Sequence, residues 1–386
     1  MMNRVKILYK MRAVYLFPLI LLSALLLASC GGAPSAKSTL PPLSANARGE
    51  LEIVWNREIG DVSSLLRPAI SAEMVCAVNE DGEIFILNAA NGDDMSSMFA
   101  ALEDGVITGG TGCSDDVVAV ADENGVLLAF DYAGNALWQH DLQSRVIASP
   151  LVRSGSVFAL GQDGRLSAYS AQRGELLWRY VSPPPSPLRT PVDSAPVESG
   201  AIYMGGGGGE ITALEQSSGK VVWEVKLSFV RSADAMAKIL DMTAPAVRGG
   251  VVCAAGYQGH VGCISADSGE ILWRKPFSAL RRVALDELGT RLAAVDAAGE
   301  LTVFDTRSGA VLWEQKLITA KTVAFVRGAV LVGFADGVLA ALAADDGRLL
   351  STINTDDEII FLQAIGIDGA LGATLAGGVF RAQFLF

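Results

Sequence analysis

Short runs in which apolar and polar side chains alternate recur along most of the chain, each broken by glycine. Between residues 148 and 181 four such runs follow one another, at 148–152, 157–161, 166–169 and 175–181. A period of two sends successive side chains to opposite faces of a strand. Four runs of this length joined by glycine turns predict one four-stranded antiparallel sheet. The frame that orders the third and fourth runs is Gly164-Arg-Leu-Ser-Ala-Tyr-Ser-Ala-Gln-Arg-Gly174-Glu-Leu-Leu-Trp178. A turn glycine is followed ten residues on by a second glycine, and fourteen on by Trp.

The frame repeats from Gly209 to Trp223, Gly259 to Trp273 and Gly299 to Trp313, and one residue shorter from Gly125 to Trp138. Gly82/Gly92 and Gly337/Gly347 keep both glycines without the Trp, and Gly378 opens a copy that the end of the chain cuts short. The turn glycines 82, 125, 164, 209, 259, 299, 337 and 378 lie 38 to 50 residues apart. A period near forty with four strands per unit predicts a β-propeller. The strand missing from the last copy stands at the other end, in residues 51–59 around Trp55. Pairing it with 379–384 closes the ring and covers two open sheet edges. The expected fold is therefore an all-β, eight-bladed propeller over residues 50–386, its last blade completed by the N-terminal strand. The third runs, such as Leu166/Ala168 and Ile211/Ala213, are expected to be buried on alternate faces.

Ahead of the repeats, Arg4, Lys6, Lys10 and Arg12 precede an apolar run at 13–27 that ends in Leu27-Ala28-Ser29-Cys30-Gly31. This describes an export signal over residues 1–29, because the run falls short of the roughly 20 residues that span a bilayer. Leu-Ala-Ser-Cys resembles a bacterial lipobox, which implies acylation of Cys30 as the new first residue; Gly31 after it resembles lipoproteins sent on to the outer membrane. Three acyl chains, at about 0.8 kcal/mol per buried CH₂, would fix the protein to a bilayer. Residues 31–49, rich in Gly, Ala, Pro and Ser, are expected to form with Cys30 a flexible tether (30–49) reaching roughly 25 Å.

Losing the signal moves the net charge from −12 to −16, since it carries four basic and no acidic residues. Such a surface disfavours nucleic acid and anionic lipid as partners. Catalytic chemistry is hard to find. The two histidines, His140 and His260, sit in different blades and are expected to be satisfied or solvent-facing. Residues 205–209 are five consecutive glycines, but without the Lys-Ser/Thr of a phosphate loop they read as a hairpin turn. Beyond Cys30, Cys76, Cys113, Cys253 and Cys263 fall on strands, where buried thiols are expected. A turn at 257–259 would set Cys253 opposite Cys263, which leaves a bridge open in an oxidising compartment. No metal site, cofactor or enzymatic activity is expected.

Two insertions break the period, at 182–191, with five prolines, and at 228–241, where Met236, Ile239 and Leu240 have helical spacing. Both join consecutive blades, so they fall on the face that also carries the central hairpin turns. Long loops on a rigid scaffold are where binding is expected.

The blade frame Ala-x₅-Gly-x₃-Trp resembles the repeat of pyrroloquinoline-quinone (PQQ) enzymes. That resemblance implies that Trp55, Trp138, Trp178, Trp223, Trp273 and Trp313 each dock on the neighbouring blade. A periplasmic PQQ-dependent dehydrogenase is the alternative assignment, but it would need a cavity with paired carboxylates for calcium. Residues 13–386 as a whole are more similar to the lipoprotein propeller subunit of the β-barrel assembly machinery, the BAM complex. The similarity is carried by the lipobox, the eight repeats, Asp193-Ser-Ala-Pro196, Asp241-Met-Thr-Ala-Pro245 and Ala254-Ala-Gly-Tyr-Gln-Gly259-His-Val. It implies a non-enzymatic scaffold on the periplasmic face of the outer membrane, aiding barrel folding and insertion by binding the POTRA domains of the barrel-forming core subunit. The partner-binding residues it implies are Leu188, Arg189 and Asp241, with Ser186 standing where the family has the first Leu of Leu-x-Leu-Arg. Unfolded barrel precursors are a further partner class; capture by strand addition would need exposed strand edges, against which ring closure argues.

Overall fold

The structure, a computed structural model, describes residues 37–386 except 46, 101–104, 115, 147, 182–196, 199, 230–240, 258, 278–282 and 386. The predicted residues Cys30, Leu188 and Arg189 lie outside the described residues. Among those described, all thirty-two regular elements are strands, arranged as eight four-stranded antiparallel sheets. Blade 3 is typical, with strands Leu151–Arg153, Ser156–Leu160, Arg165–Ser170 and Leu176–Val181 paired in that order. Blades 1 to 7 follow the chain from Ala69 to Asn354. Blade 8 combines Ile359–Ile365, Gly369–Thr374 and Gly378–Leu385 with the N-terminal strand Glu50–Glu58. Leu51 is set opposite Phe384 and Asn56 opposite Phe380, so the ring closes as predicted.

The blades adhere through one buried cluster at each of the eight interfaces, including that between blades 8 and 1 around Trp55, Phe85, Phe361 and Val379. A central strand is therefore covered on both sides: Leu166, Ser167, Ala168 and Tyr169 are all at most 4 % exposed. The alternation in the third runs thus distinguishes two neighbouring blades, in keeping with the expected burial on alternate faces. The turn glycine of the eighth copy is Gly377, with φ +95°, one residue before the expected Gly378.

The tryptophans link the blades edge to edge. The indole Nε1–H of Trp55 donates to Ala89 O at 3.1 Å, Trp138 to Ala171 O at 2.7 Å, and Trp178 to Gln216 O at 2.9 Å. Trp223 donates to Ala266 O, Trp273 to Thr306 O and Trp313 to Ala344 O, at 2.8, 2.8 and 2.9 Å. Each acceptor lies in the next blade, just ahead of that blade's second glycine. In every fourth strand the pairing slips by one residue immediately before the Trp position, a β-bulge that re-aims the side chain inward.

Two expectations are corrected. The cysteines form disulfides rather than buried thiols. Cys253 and Cys263 are direct cross-strand partners with Cα atoms 4.1 Å apart, and Cys76 reaches Cys113 across the boundary between blades 1 and 2 at 6.5 Å. Nothing local in the sequence marks the second approach, which ring packing creates. The second correction concerns the tether: residues 38–44 lie on blades 6 and 7. Ser38 N–H donates to the Asp336 carboxylate at 2.7 Å, and Ile318 N–H to Thr39 Oγ1 at 3.0 Å. Leu40 packs on the cluster between those blades, while Leu43 bridges Leu349 in parallel. These contacts use backbone groups, the Thr39 hydroxyl and one leucine side chain, which a Pro- and Ser-rich composition does not reveal.

Candidate partner-binding face

The turn between the second and third strands of a blade meets the connection leading to the next blade. In blade 4 that turn is the glycine run. Gly209 O accepts from Leu227 N–H and Ser228 N–H, at 2.9 and 3.0 Å, and a β-carbon on Gly209 would stand 2.1 Å from Ser228 O. On the other side, Met242 N–H donates to Gly206 O at 3.3 Å, and a β-carbon on Gly205 would stand 2.9 Å from Met242 Cβ. The glycines are thus clamped between the two ends of the second insertion. Ser228 and Met242 are fully buried, at 0 % exposure.

Asp241, predicted to meet a partner, is 3 % exposed, and its carbonyl accepts from Tyr257 N–H at 3.0 Å. It forms the foot of the insertion. The backbone continues through the Met242–Gly256 bridge and a hydrogen bond from Thr243 N–H to Ala255 O at 2.8 Å.

Beside this foot is a stack that sequence inspection did not find. The ring of Phe229 lies on His260 with centroids 4.6 Å apart, and the Arg274 guanidinium sits 4.7 Å from the Phe229 centroid. Arg274 also donates to Lys226 O at 3.3 Å, and His260 N–H to Ser228 Oγ at 3.1 Å. His260 Nδ1 has no partner among the described residues. Burial, and then the neighbouring Arg274 charge, hold the His260 imidazole below its ordinary value. His140 matches the expectation for a satisfied histidine: its Nε2 lies 2.6 Å from Gly174 O and its ring stacks on Tyr169. On the neighbouring strands, desolvation and then Glu224 push the Glu210 carboxyl up, with Lys226 opposing. Apolar, cationic and acidic groups on a rigid base suit a protein partner better than a small molecule. Among the described residues no three His, Cys, Asp or Glu side chains converge as a metal set.

The family model described as outer membrane protein assembly factor BamB matches residues 80–315 and 288–358. A protein of that name from Burkholderia pseudomallei is 27 % identical over 345 residues, covering 88 % of this chain and 89 % of the relative. The crystal structure of BamB from Moraxella catarrhalis superposes with a TM-score of 0.76 at 22 % identity, covering 86 % of this chain and 100 % of that one. A quinohemoprotein alcohol dehydrogenase from Comamonas testosteroni also superposes, with a TM-score of 0.65 at 14 % identity over 86 % of this chain and 76 % of that one. That last likeness is one of fold.

Proposed function

The chain belongs to the BamB family of outer membrane protein assembly factors, and from this premise we propose that it is a non-enzymatic scaffold that binds the POTRA domains of the barrel-forming core subunit. In this proposal Cys30 carries the lipid that holds it at the periplasmic face of the outer membrane. The observation that supports a loop-borne contact is the clamped foot of the second insertion. Ser228, Asp241 and Met242 are fixed to a closed ring, so both ends of the insertion are held in place before a partner docks. Leu188 would supply an apolar anchor, Arg189 a charged donor to partner carboxylates or carbonyls, and Asp241 the support beneath.

The test is a pull-down of the affinity-tagged full-length protein from detergent-solubilised outer membranes. The core subunit should elute with it, and eluates without that subunit would overturn the scaffold assignment. Adding PQQ and calcium to the same preparation checks the dehydrogenase alternative, for which dye reduction is the signature.

A further inference from the structure

The face opposite the insertions carries the turns between the first and second strands of the blades. Four of these turns, in blades 5 to 8, surround an open cavity of about 240 Å³. Its floor is apolar, formed by Leu285, Phe325 and Val326 near the ends of first strands. A void of about 150 Å³ holds a benzene ring, so this cavity has room for a large side chain. On its rim stands Leu288, which at 73 % is the most exposed large apolar residue among those described. With Ile367, also open to solvent, it extends the floor into one apolar patch bordered by charge, an arrangement that marks an interaction site.

The rim is stiff. The Asp286 carboxylate accepts from Thr290 N–H and Arg291 N–H at 2.6 and 3.0 Å, and Gly289 O accepts from Thr306 Oγ1 at 2.7 Å. The turn of blade 5 presses on that of blade 6, since a β-carbon on Gly249 would stand 2.4 Å from Leu288 O. Arg327 N–H donates to Ile367 O at 2.6 Å and ties the turns of blades 7 and 8. Charge then narrows the partner. Arg291 is paired with Asp345 at 2.7 Å, and Asp286 is engaged by its own turn. The guanidinium groups of Arg248 and Arg327 have no partner among the described residues, and on the rim only Glu287 opposes them. Two unengaged cations against one acid leave a positive spot on a strongly acidic protein.

We propose that this cavity is a second docking site, for a segment of a protein partner that carries carboxylates beside a large apolar side chain. The apolar side chain fills the cavity against Phe325 and Leu288, and Arg248 and Arg327 donate to the carboxylates at its mouth. Because the site lies on the face away from the insertions, both faces can be occupied at once, and the propeller can join two partners. The inference goes beyond the POTRA contact and does not rest on it.

The experiment uses the full-length protein and three short peptides, capped at both ends, with 4-fluorophenylalanine at the centre flanked on each side by Asp, Asn or Lys. Fluorine NMR of the peptide follows binding. The Asp peptide should bind about fivefold more tightly than the Asn peptide, the effect of two exposed ion pairs, and the Lys peptide should bind most weakly. The double variant Arg248→Ser, Arg327→Ser should abolish the preference for Asp, and Leu288→Ser should weaken all three peptides alike. Arg153→Ser, at the end of the first strand of blade 3 and outside the cavity, should change nothing. All four positions are exposed, so the thermal transition should stay in place. Equal binding of the three peptides, or a preference for Asp that survives the double variant, would overturn the proposal. So would displacement of the Asp peptide by decanoate at a lower concentration than by its own unlabelled form, which would assign the cavity to a lipid carboxylate. Because no POTRA domain is present, none of these outcomes touches the scaffold assignment.

Discussion

Trp178 lies against Gly219 of the next blade so closely that a β-carbon on that glycine would stand 2.4 Å from the indole ring. The same relation joins Trp138 to Gly174, Trp223 to Gly269 and Trp273 to Gly309. Two constraints meet at each of these glycines, a positive φ and a lack of space, and they can be separated. Gly219 has φ +68° and no room, whereas Gly250 has φ +77° with nothing within 4 Å of an added β-carbon. Gly219→Ala should therefore cost about 3 kcal/mol or more, combining backbone strain with displacement of the Trp, and Gly250→Ala about 1 kcal/mol from φ alone. Equilibrium denaturation of both variants checks this, and equal losses would mean that the indole moves aside freely.

The repeat was legible because its signals are local. Gly164, Gly174 and Trp178 sit on one hairpin, so their spacing survives in the linear sequence, and the incomplete last copy pointed to the strand around Trp55. What the sequence could not show are contacts between blades. Cys76 and Cys113 are 37 residues apart and meet only because the ring sets blade 2 against blade 1. Phe229, His260 and Arg274 come from three separate segments; Phe229 opens an insertion and His260 follows a hairpin glycine, but no spacing in the sequence joins the two to each other or to Arg274. Asp241 looked like a surface carboxylate, but the chain turns inward there to clamp the glycine run.

Residues 37–45 should contribute measurable stability rather than serve as a passive linker. Their removal frees Asp336, Thr39's partner Ile318, and the apolar surface under Leu40. A loss of about 1–3 kcal/mol is expected from one buried leucine and a few net hydrogen bonds. Removing 50–58 instead deletes a whole strand and exposes the edge of Gly378–Leu385, so that variant should aggregate. Thermal unfolding and light scattering distinguish the two, and a 37–45 deletion with an unchanged transition would return this segment to the tether.

Acid should weaken the foot of the second insertion. The His260 imidazole is held below its ordinary 6.5 by burial and by Arg274. The unfolded chain therefore binds the proton more readily, and stability rises with pH up to the unfolded value and falls as pH drops below it. Between about pH 7.5 and pH 5 the native protein should lose more thermal stability than a His260→Gln variant, whose side chain does not titrate. Parallel curves for the two would show that His260 charges without penalty.

The partner contact itself is addressed at Arg189. It stands in an insertion with five prolines, and proline limits the conformations that a loop must give up on docking. Its position between blades 3 and 4 leaves it with no blade strand to complete, so Arg189→Glu should leave the thermal transition in place. Binding should respond differently. Reversing the charge inside a partly desolvated contact removes an attraction and adds a repulsion, at a cost of about 2–5 kcal/mol. At about 1.4 kcal/mol per decade this is at least a tenfold loss of affinity for purified POTRA domains. Arg307, exposed on the turn between the third and fourth strands of blade 6, lies on the opposite face, and Arg307→Glu should bind as the native protein does. Titration calorimetry of the three proteins decides the matter. Equal affinity for Arg189→Glu and the native chain would move the contact off this loop, and a loss in Arg307→Glu would place it on the other face of the ring.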